Sequence, residues 1–388
     1  MNALFDTAPD RTGSGSYKWD TTTGGIIPMW VADMDFRVAD PILEALRKRV
    51  AHGIFGYTHI LPEYYDAVRD WFRLRHGWDM GENTILHTSG IVPAISAIIK
   101  ALAPCGSRVA LQTPAYNCFF SSIRNNGCRI AENTLIRRED EPGILDFTID
   151  FDGLEEIFAQ GDTPLMILCN PHNPTGRIWT EEELTRIATL AAEYSVTVIS
   201  DEIHCDITLP GLKYNPFAPI AEKCGCRYAV CTSPSKTFNT AGLQIANITV
   251  PQKGMAALID KAININEICD VNPFGPVALT AAYRECAGWA DSLREYIAEN
   301  FAMYTEKIHR SGLNWTTSRP QATYLAWTDV SAEGENGDSV AEKALENGVR
   351  IASGSTYGDP GFIRINLACP RSRAEEGINR LIKSARKN

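Results

Sequence analysis

From about residue 85 to 250, short apolar runs alternate with amphipathic stretches. RVALQ (108–112), LMILC (165–169), TVIS (197–200) and YAVCTS (228–233) are short, apolar and rich in β-branched residues, a pattern that predicts strands. Between them the period changes to that of a helix. Ile95, Ile98, Ile99 and Leu102 share one face of a helix over Val92–Leu102. Thr180 with Glu183 three residues on forms a capping box that opens a second helix over Glu181–Tyr194. Strands alternating with helices imply an α/β fold, with a mostly parallel central sheet covered by helices on both faces.

The pattern changes after residue 285. A long helix period runs from Trp289 to Arg310, followed by TYLAW (323–327), the polar EGENGD, a further helix period and FIRINL (362–367). These elements predict a smaller α+β domain. The chain of 388 residues fits two domains of ordinary size. The expected division is a large α/β domain over 41–284 and a small domain over 285–388, with residues 1–40 packing against the small one.

Composition narrows the class. Hydrophobic residues at 44% and charged residues at 22% are ordinary for a globular protein. A net charge of −10 repels nucleic acid and anionic membranes, so neither is an expected partner. The first residues lack a basic start with an apolar run, and no apolar stretch approaches membrane-spanning length. Eleven scattered cysteines include no C-x-x-C pair, which reads as reduced thiols in a cytoplasmic protein with no metal site.

In an open α/β sheet, ligands bind beyond the carboxyl ends of the strands, and five polar groups follow predicted strands here. Thr88-Ser89-Gly90-Ile91 opens a helix and offers free N–H groups to a phosphate, although alone it is an ordinary helix cap. Tyr116 follows RVALQ and suits either stacking on a planar ligand or core packing. Asn170 to Gly176 (NPHNPTG) is denser in constraint than a surface turn needs, and one of its two Asn-Pro bonds is a candidate for the cis form. Asp201-Glu202-Ile203-His204 follows TVIS and lacks the second ligand cluster that a metal would require. Lys236, in SPSKTFN just past a strand, would be nucleophilic if desolvated, whereas most lysines are exposed. The order of these groups decides between the readings. Pyridoxal 5′-phosphate (PLP) requires N–H donors for its phosphate, an aromatic for its ring, a carboxylate for its pyridine nitrogen and an amine for its aldehyde.

These motifs resemble those of the fold-type I PLP enzymes of the aminotransferase class I/II superfamily, and within it the MalY/PatB-type C–S lyases (cystathionine β-lyases). The resemblance runs from YKWD (17–20) and MWVADMDF (29–36) through GIFGYT (53–58), LCNPHNPTGRIWTEEEL (168–184), VISDEIHCDI (198–207), SPSKTFNTAGLQ (233–244) and TYLAW to FIRINLACPR (362–371). It implies that Lys236 is the Schiff-base lysine and general base, and that Asp201 partners the pyridine nitrogen. Ile203 would lie under the ring, and His204 and Asn173 near the phenolic oxygen. Tyr116 would stack on the ring, and Ser89, Gly90, Ile91 and Ser233 would hold the phosphate. Tyr57 would reach the phosphate of the other subunit of a homodimer. Arg364 would grip the substrate carboxylate, with Asn173 and Tyr116 beside it. One position departs from the wider superfamily: the eighth residue after the lysine is Gln244, where aspartate-aminotransferase-like members carry a phosphate-binding arginine.

The activity implied is β-elimination from cystathionine or another S-substituted L-cysteine, giving a thiol, pyruvate and ammonia. PLP motifs alone leave an aminotransferase open, and a regulatory protein-binding role is a further alternative. Trp30, Asn117 and Tyr357 are candidates for lining the distal part of the substrate pocket.

Overall fold

A computed structural model describes residues 4–22, 24–266 and 270–386. The central sheet has seven strands: β1 (Thr84–Thr88), β2 (Arg108–Thr113), β3 (Arg129–Thr134), β4 (Leu165–Cys169), β5 (Thr197–Asp201), β6 (Arg227–Thr232) and β7 (Ala246–Val250). Their order across the sheet is β1-β7-β6-β5-β4-β2-β3. Only β7 runs antiparallel to its neighbours, so the sheet is mostly parallel, as the strand–helix alternation predicted.

Period two explains why both faces are covered. Ala110, Met166, Leu168, Val198 and Val230 pack into one core, with the helices Pro62–His76, Glu181–Glu193, Phe217–Cys224 and Phe274–Glu285. Their sequence neighbours Val109, Leu111, Leu165, Ile167, Ile199 and Ala229 point the other way, into a core closed by the helices Ile91–Leu102, Asn117–Asn125 and Lys253–Asn264. The helix after Thr180 carries the full capping box: the Thr180 hydroxyl accepts from Glu183 N–H, and the Glu183 carboxylate accepts from Thr180 N–H.

A second sheet has six strands, in the order Ala352–Ser353, Phe362–Asn366, Leu325–Asp329, Thr316–Ser318, Ile144–Thr148, Ile136–Glu141. Its last two strands form a hairpin drawn from between β3 and β4, a pairing over long sequence separation with no local signal. The strand expected at 323–327 begins at Leu325, because Thr323 adopts φ +68° and breaks the extended run. The long helix spans Ala287–Arg310. Among the described residues, no helix is long and apolar enough to cross a membrane.

The N-terminal segment packs on this second sheet. Ile27–Pro28 pairs with Val349–Arg350. Phe5, Met29, Met34 and Phe36 join the core formed by the long helix and the six-stranded sheet. A buried charge cluster fixes the segment. The Asp35 side chain is 0% exposed and accepts from Lys18 Nζ (3.1 Å), Arg11 Nη1 (3.0 Å), Arg373 Nη1 (2.9 Å) and Trp19 Nε1 (2.9 Å). Burial alone would raise its pKa, but Lys18, the Trp19 N–H and Arg373 outweigh burial and hold the carboxyl below its ordinary value.

A carboxylate with a lowered pKa adds stability above its unfolded pKa, and that stability is lost as pH falls through the folded value. Asp35→Ala takes from buried Lys18 its nearer acid and leaves only Asp33 at 3.7 Å, an expected loss on the order of 3–5 kcal/mol. Asp70→Ala, at the exposed Arg73 pair, should cost far less. Urea unfolding at pH 7 followed by tryptophan fluorescence compares them, and equal losses would contradict the role given to burial.

Candidate active site

The carboxyl ends of the parallel strands share one edge of the sheet, and antiparallel β7 starts at that edge. Cavity-lining groups therefore follow β1 (Ser89, Gly90, Ile91), β2 (Tyr116), β4 (Asn173), β5 (Asp201, Ile203, His204) and β6 (Ser233, Lys236), while Gln244 and Ile245 enter just before β7. The cavity encloses about 390 Å³ and is closed on its other side by Arg364, Tyr357, Trp30, Val31 and Ala32. Every residue singled out from the sequence for cofactor or substrate lines it, except Tyr57. Tyr57 is 100% exposed and lies at a separate groove with Arg49, Leu61 and Arg284.

The turn after β5 sorts its side chains to two sides. Asp201 faces the cavity and accepts one hydrogen bond, from Ile203 N–H (3.1 Å). Burial pushes its carboxyl up to about 7, against the Ile203 N–H and Lys236, which lower it. Glu202 faces away and accepts from Ser200 Oγ (2.8 Å), Phe217 N–H (3.0 Å), Asn170 Nδ2 (3.4 Å) and the Tyr214 hydroxyl. Asp206 also faces away, toward His76 Nε2 (2.7 Å), Thr237 Oγ1 (3.0 Å), Trp71 Nε1 (3.1 Å) and Arg75 Nε (3.4 Å). His76, Cys205 and Asp206 form a cluster of potential metal-ligating atoms, but this carboxylate is already surrounded by donors that hold the turn. The acidic motif thus divides: Asp201 faces the cavity, and Glu202 and Asp206 brace the backbone beneath it.

Lys236 is half-buried, and its Nζ donates to Ala32 O (2.7 Å). Burial and the nearby Arg364 push its amine down to about 8, while Asp33 and Asp201 pull it up. His204 is pushed down to about 3 by burial and by the positive charges of Lys236 and Arg364, so its ring is neutral. Arg364 sits on the Phe362–Asn366 strand, with its guanidinium 4.3 Å from the Tyr357 ring centroid. It donates to Asn173 Oδ1 (3.2 Å) and Trp30 O (3.1 Å).

The loop after β4 carries unusual backbone geometry. Both Asn-Pro bonds, 170–171 and 173–174, are cis. Gly176 holds φ +74°, and a Cβ there would lie 3.1 Å from Ala322 O, so the turn calls for glycine.

The donor set fits PLP. His204 Nδ1 and Arg364 Nε are buried with no hydrogen-bond partner, and a buried polar group in that state calls for a ligand. Asp201, holding a single donor, suits a ring nitrogen that carries a proton. The Ile91–Leu102 helix presents its N-terminus beside Ser89 and Ser233 with no acidic residue in its first turn, which suits a phosphate. Sequence reasoning missed Val31 and Ala32, whose contributions come through the backbone, and Ser235, whose N–H and hydroxyl both engage Ser233 Oγ.

Residues 24–381 match the aminotransferase class I and II family. The chain is 37% identical to cystathionine β-lyase PatB of Bacillus subtilis, over 97% of this chain and 98% of that protein. It is 32% identical to the protein MalY of Escherichia coli, over 98% of each. The structure of cystalysin from Treponema denticola, which contains a pyridoxal 5′-phosphate cofactor, superposes with a TM-score of 0.93 at 30% identity, covering 98% of both chains. With the cavity at the strand ends and kinship over nearly its whole length, the chain belongs to the aminotransferase class I and II family.

Proposed function

We propose that the protein is a PLP-dependent carbon–sulfur lyase that cleaves cystathionine or another S-substituted L-cysteine to a thiol, pyruvate and ammonia. The observation that carries this reading is the convergence of the Lys236 amine, the Asp201 carboxylate and the Arg364 guanidinium in one cavity, in a chain akin to a cystathionine β-lyase from end to end.

When bound, PLP supplies an electron sink that acidifies the Cα–H of an attached amino acid. Asp201 would hold the proton on the ring nitrogen. Ser89, Gly90, Ile91 and Ser233 would bind the phosphate, with Gln244 offering a neutral amide in place of a cation. Tyr116 would cover one face of the ring and Ile203 the other, while Asn173 and neutral His204 would lie at the phenolic oxygen. Arg364 would bind the substrate carboxylate through its guanidinium fork, stiffened by Asn173, Trp30 O and the Tyr357 ring. Lys236 would anchor PLP, then take the Cα proton before the thiolate leaves. Burial serves both tasks, since a lysine pushed down to about 8 is partly neutral near neutral pH.

Tyr57 would act in a second copy of the chain. Its full exposure, with Ile54, Phe55 and Leu61 exposed around it, suits a homodimer in which each copy completes the phosphate site of the other. The ten described cysteines are all unpaired, which supports a cytoplasmic setting. Residues 41–284 would act as the PLP-binding unit, and 285–388 with the N-terminal segment as the unit that brings Arg364 to it.

Purified protein given cystathionine should release pyruvate without any 2-oxo acid. Pyruvate that forms only when such an acceptor is added, with the amino group transferred to it, would favour transamination. Lys236→Ala should lose turnover and the absorbance of covalently held PLP together, and retention of that absorbance would reject the anchor. Arg364→Lys keeps the charge but loses the fork, and should lower kcat/KM about ten-fold or more. An unchanged value would remove Arg364 from carboxylate binding. In the apoenzyme, capture of PLP needs the neutral amine, so its rate should climb as pH rises and level off above about 8. A rate flat from pH 6 to 9 would contradict the depressed lysine.

A further inference from the structure

Trp30, Val31 and Ala32 line the cavity and open a strap that runs on to Phe36, and side chains from elsewhere hold its carbonyls. Arg364 Nη2 donates to Trp30 O (3.1 Å), and Asn366 Nδ2 donates to Val31 O (2.5 Å) and Asp33 O (2.6 Å). Asn239 Nδ2 donates to Met34 O (3.0 Å) and Phe36 O (2.9 Å), and its Oδ1 accepts from Met34 N–H (3.0 Å). Ala32 O takes two donors of different character. One is the reactive amine, Lys236 Nζ at 2.7 Å, and the other is the Tyr324 hydroxyl at 2.9 Å.

We propose that Tyr324 is a positioning residue for Lys236: it fixes the Ala32 carbonyl as the docking point that orients the free lysine amine whenever that amine is not bonded to the cofactor. The inference rests on the PLP reading above. With the lysine nitrogen bonded to the cofactor, Ala32 O would lack that donor. A carbonyl left alone at a cavity wall turns or takes water. Tyr324 keeps the oxygen aimed through that interval, so the released amine finds its acceptor in place. Donating one N–H to Ala32 O turns the nitrogen lone pair away from the carbonyl. The lone pair can then take the Cα proton, and the C–H electron pair stays with the substrate on its cofactor.

Tyr324 is built for this task. It is 1% exposed, and burial with nearby Asp33 pushes its phenol well above the ordinary value, so it remains a donor. The preceding Thr323 is a β-branched residue at φ +68°, a rarely tolerated conformation that clusters at functional sites. It is held there by Thr323 N–H to Ile207 O (2.7 Å) and Leu325 N–H to Thr323 Oγ1 (3.1 Å). The Tyr324 ring lies edge-on to His204, with centroids 6.2 Å apart.

The test is Tyr324→Phe in the full chain, read in two ways. Capture of added PLP by the apoenzyme, followed by absorbance, should slow about ten-fold. In the holoenzyme, the isotope effect on kcat with Cα-deuterated substrate should rise while KM changes less than about two-fold, because only the orientation of the base is impaired. Tyr304→Phe serves as the control for loss of a buried hydroxyl bond, here to Thr328 Oγ1 at 2.6 Å, and should leave both readouts unchanged. If Tyr324→Phe does not fold, Tyr324→Met, whose flexible apolar chain adapts to the space and carries no donor, answers the same question. Wild-type capture and isotope effect in the Tyr324 variant, or equal losses in Tyr304→Phe, would overturn the proposal. The capture measurement needs no lyase substrate, so a failure of the lyase reading would be seen separately, as absence of pyruvate.

Discussion

Burying an amine and a carboxylate in one cavity is unfavourable to both charges, and the rest of the structure follows from how that cost is contained. Desolvation pushes Asp201 up to about 7 and Lys236 down to about 8, and each group partly offsets the shift of the other. The pair persists because stiff surroundings hold it. The six-stranded sheet delivers Arg364, the strap of residues 30–36 delivers Ala32 O, and the turn after β5 is braced from behind by Glu202 and Asp206. A protonated ring nitrogen beside Asp201 and a covalent bond at Lys236 would relieve both burials.

The strap links the two halves of the molecule. It is tied down through Asp35 by Lys18, Arg11 and Arg373, and through its backbone carbonyls by Asn239, Asn366, Arg364 and Tyr324. Such buried charge adds little stability compared with an apolar packing of the same volume, but removing one partner is costly. The cluster is better understood as setting the register of the strap, so that the carbonyl of Ala32 and not that of a neighbour meets Lys236.

Much of this was legible in the chain. The central strands and their order of chemistry could be read because buried strands are short apolar runs, and the informative side chains follow them directly. Ser89, Tyr116, Asn173, Asp201 and Lys236 needed only that rule to be brought together. Three features were not legible. The Ile136–Thr148 hairpin joins the far sheet through pairing that no local pattern announces. Glu202 could not be told from Asp201 by residue type, since only the geometry of the turn sends one to the cavity and the other beneath it. Ala32 carries no chemistry in its side chain, and its place at the site comes from a backbone oxygen. The turn sends Glu202 away from the cavity that Asp201 and His204 share, so the three groups of the motif do not converge on one point.

The central claim, that Lys236 is the residue that binds PLP, is tested most directly by chemical trapping. PLP-loaded protein is reduced with borohydride, digested and mapped by mass spectrometry. A phosphopyridoxyl group confined to the peptide containing Lys236 is the expected result. A label on another lysine, with Lys236 unmodified, would contradict it.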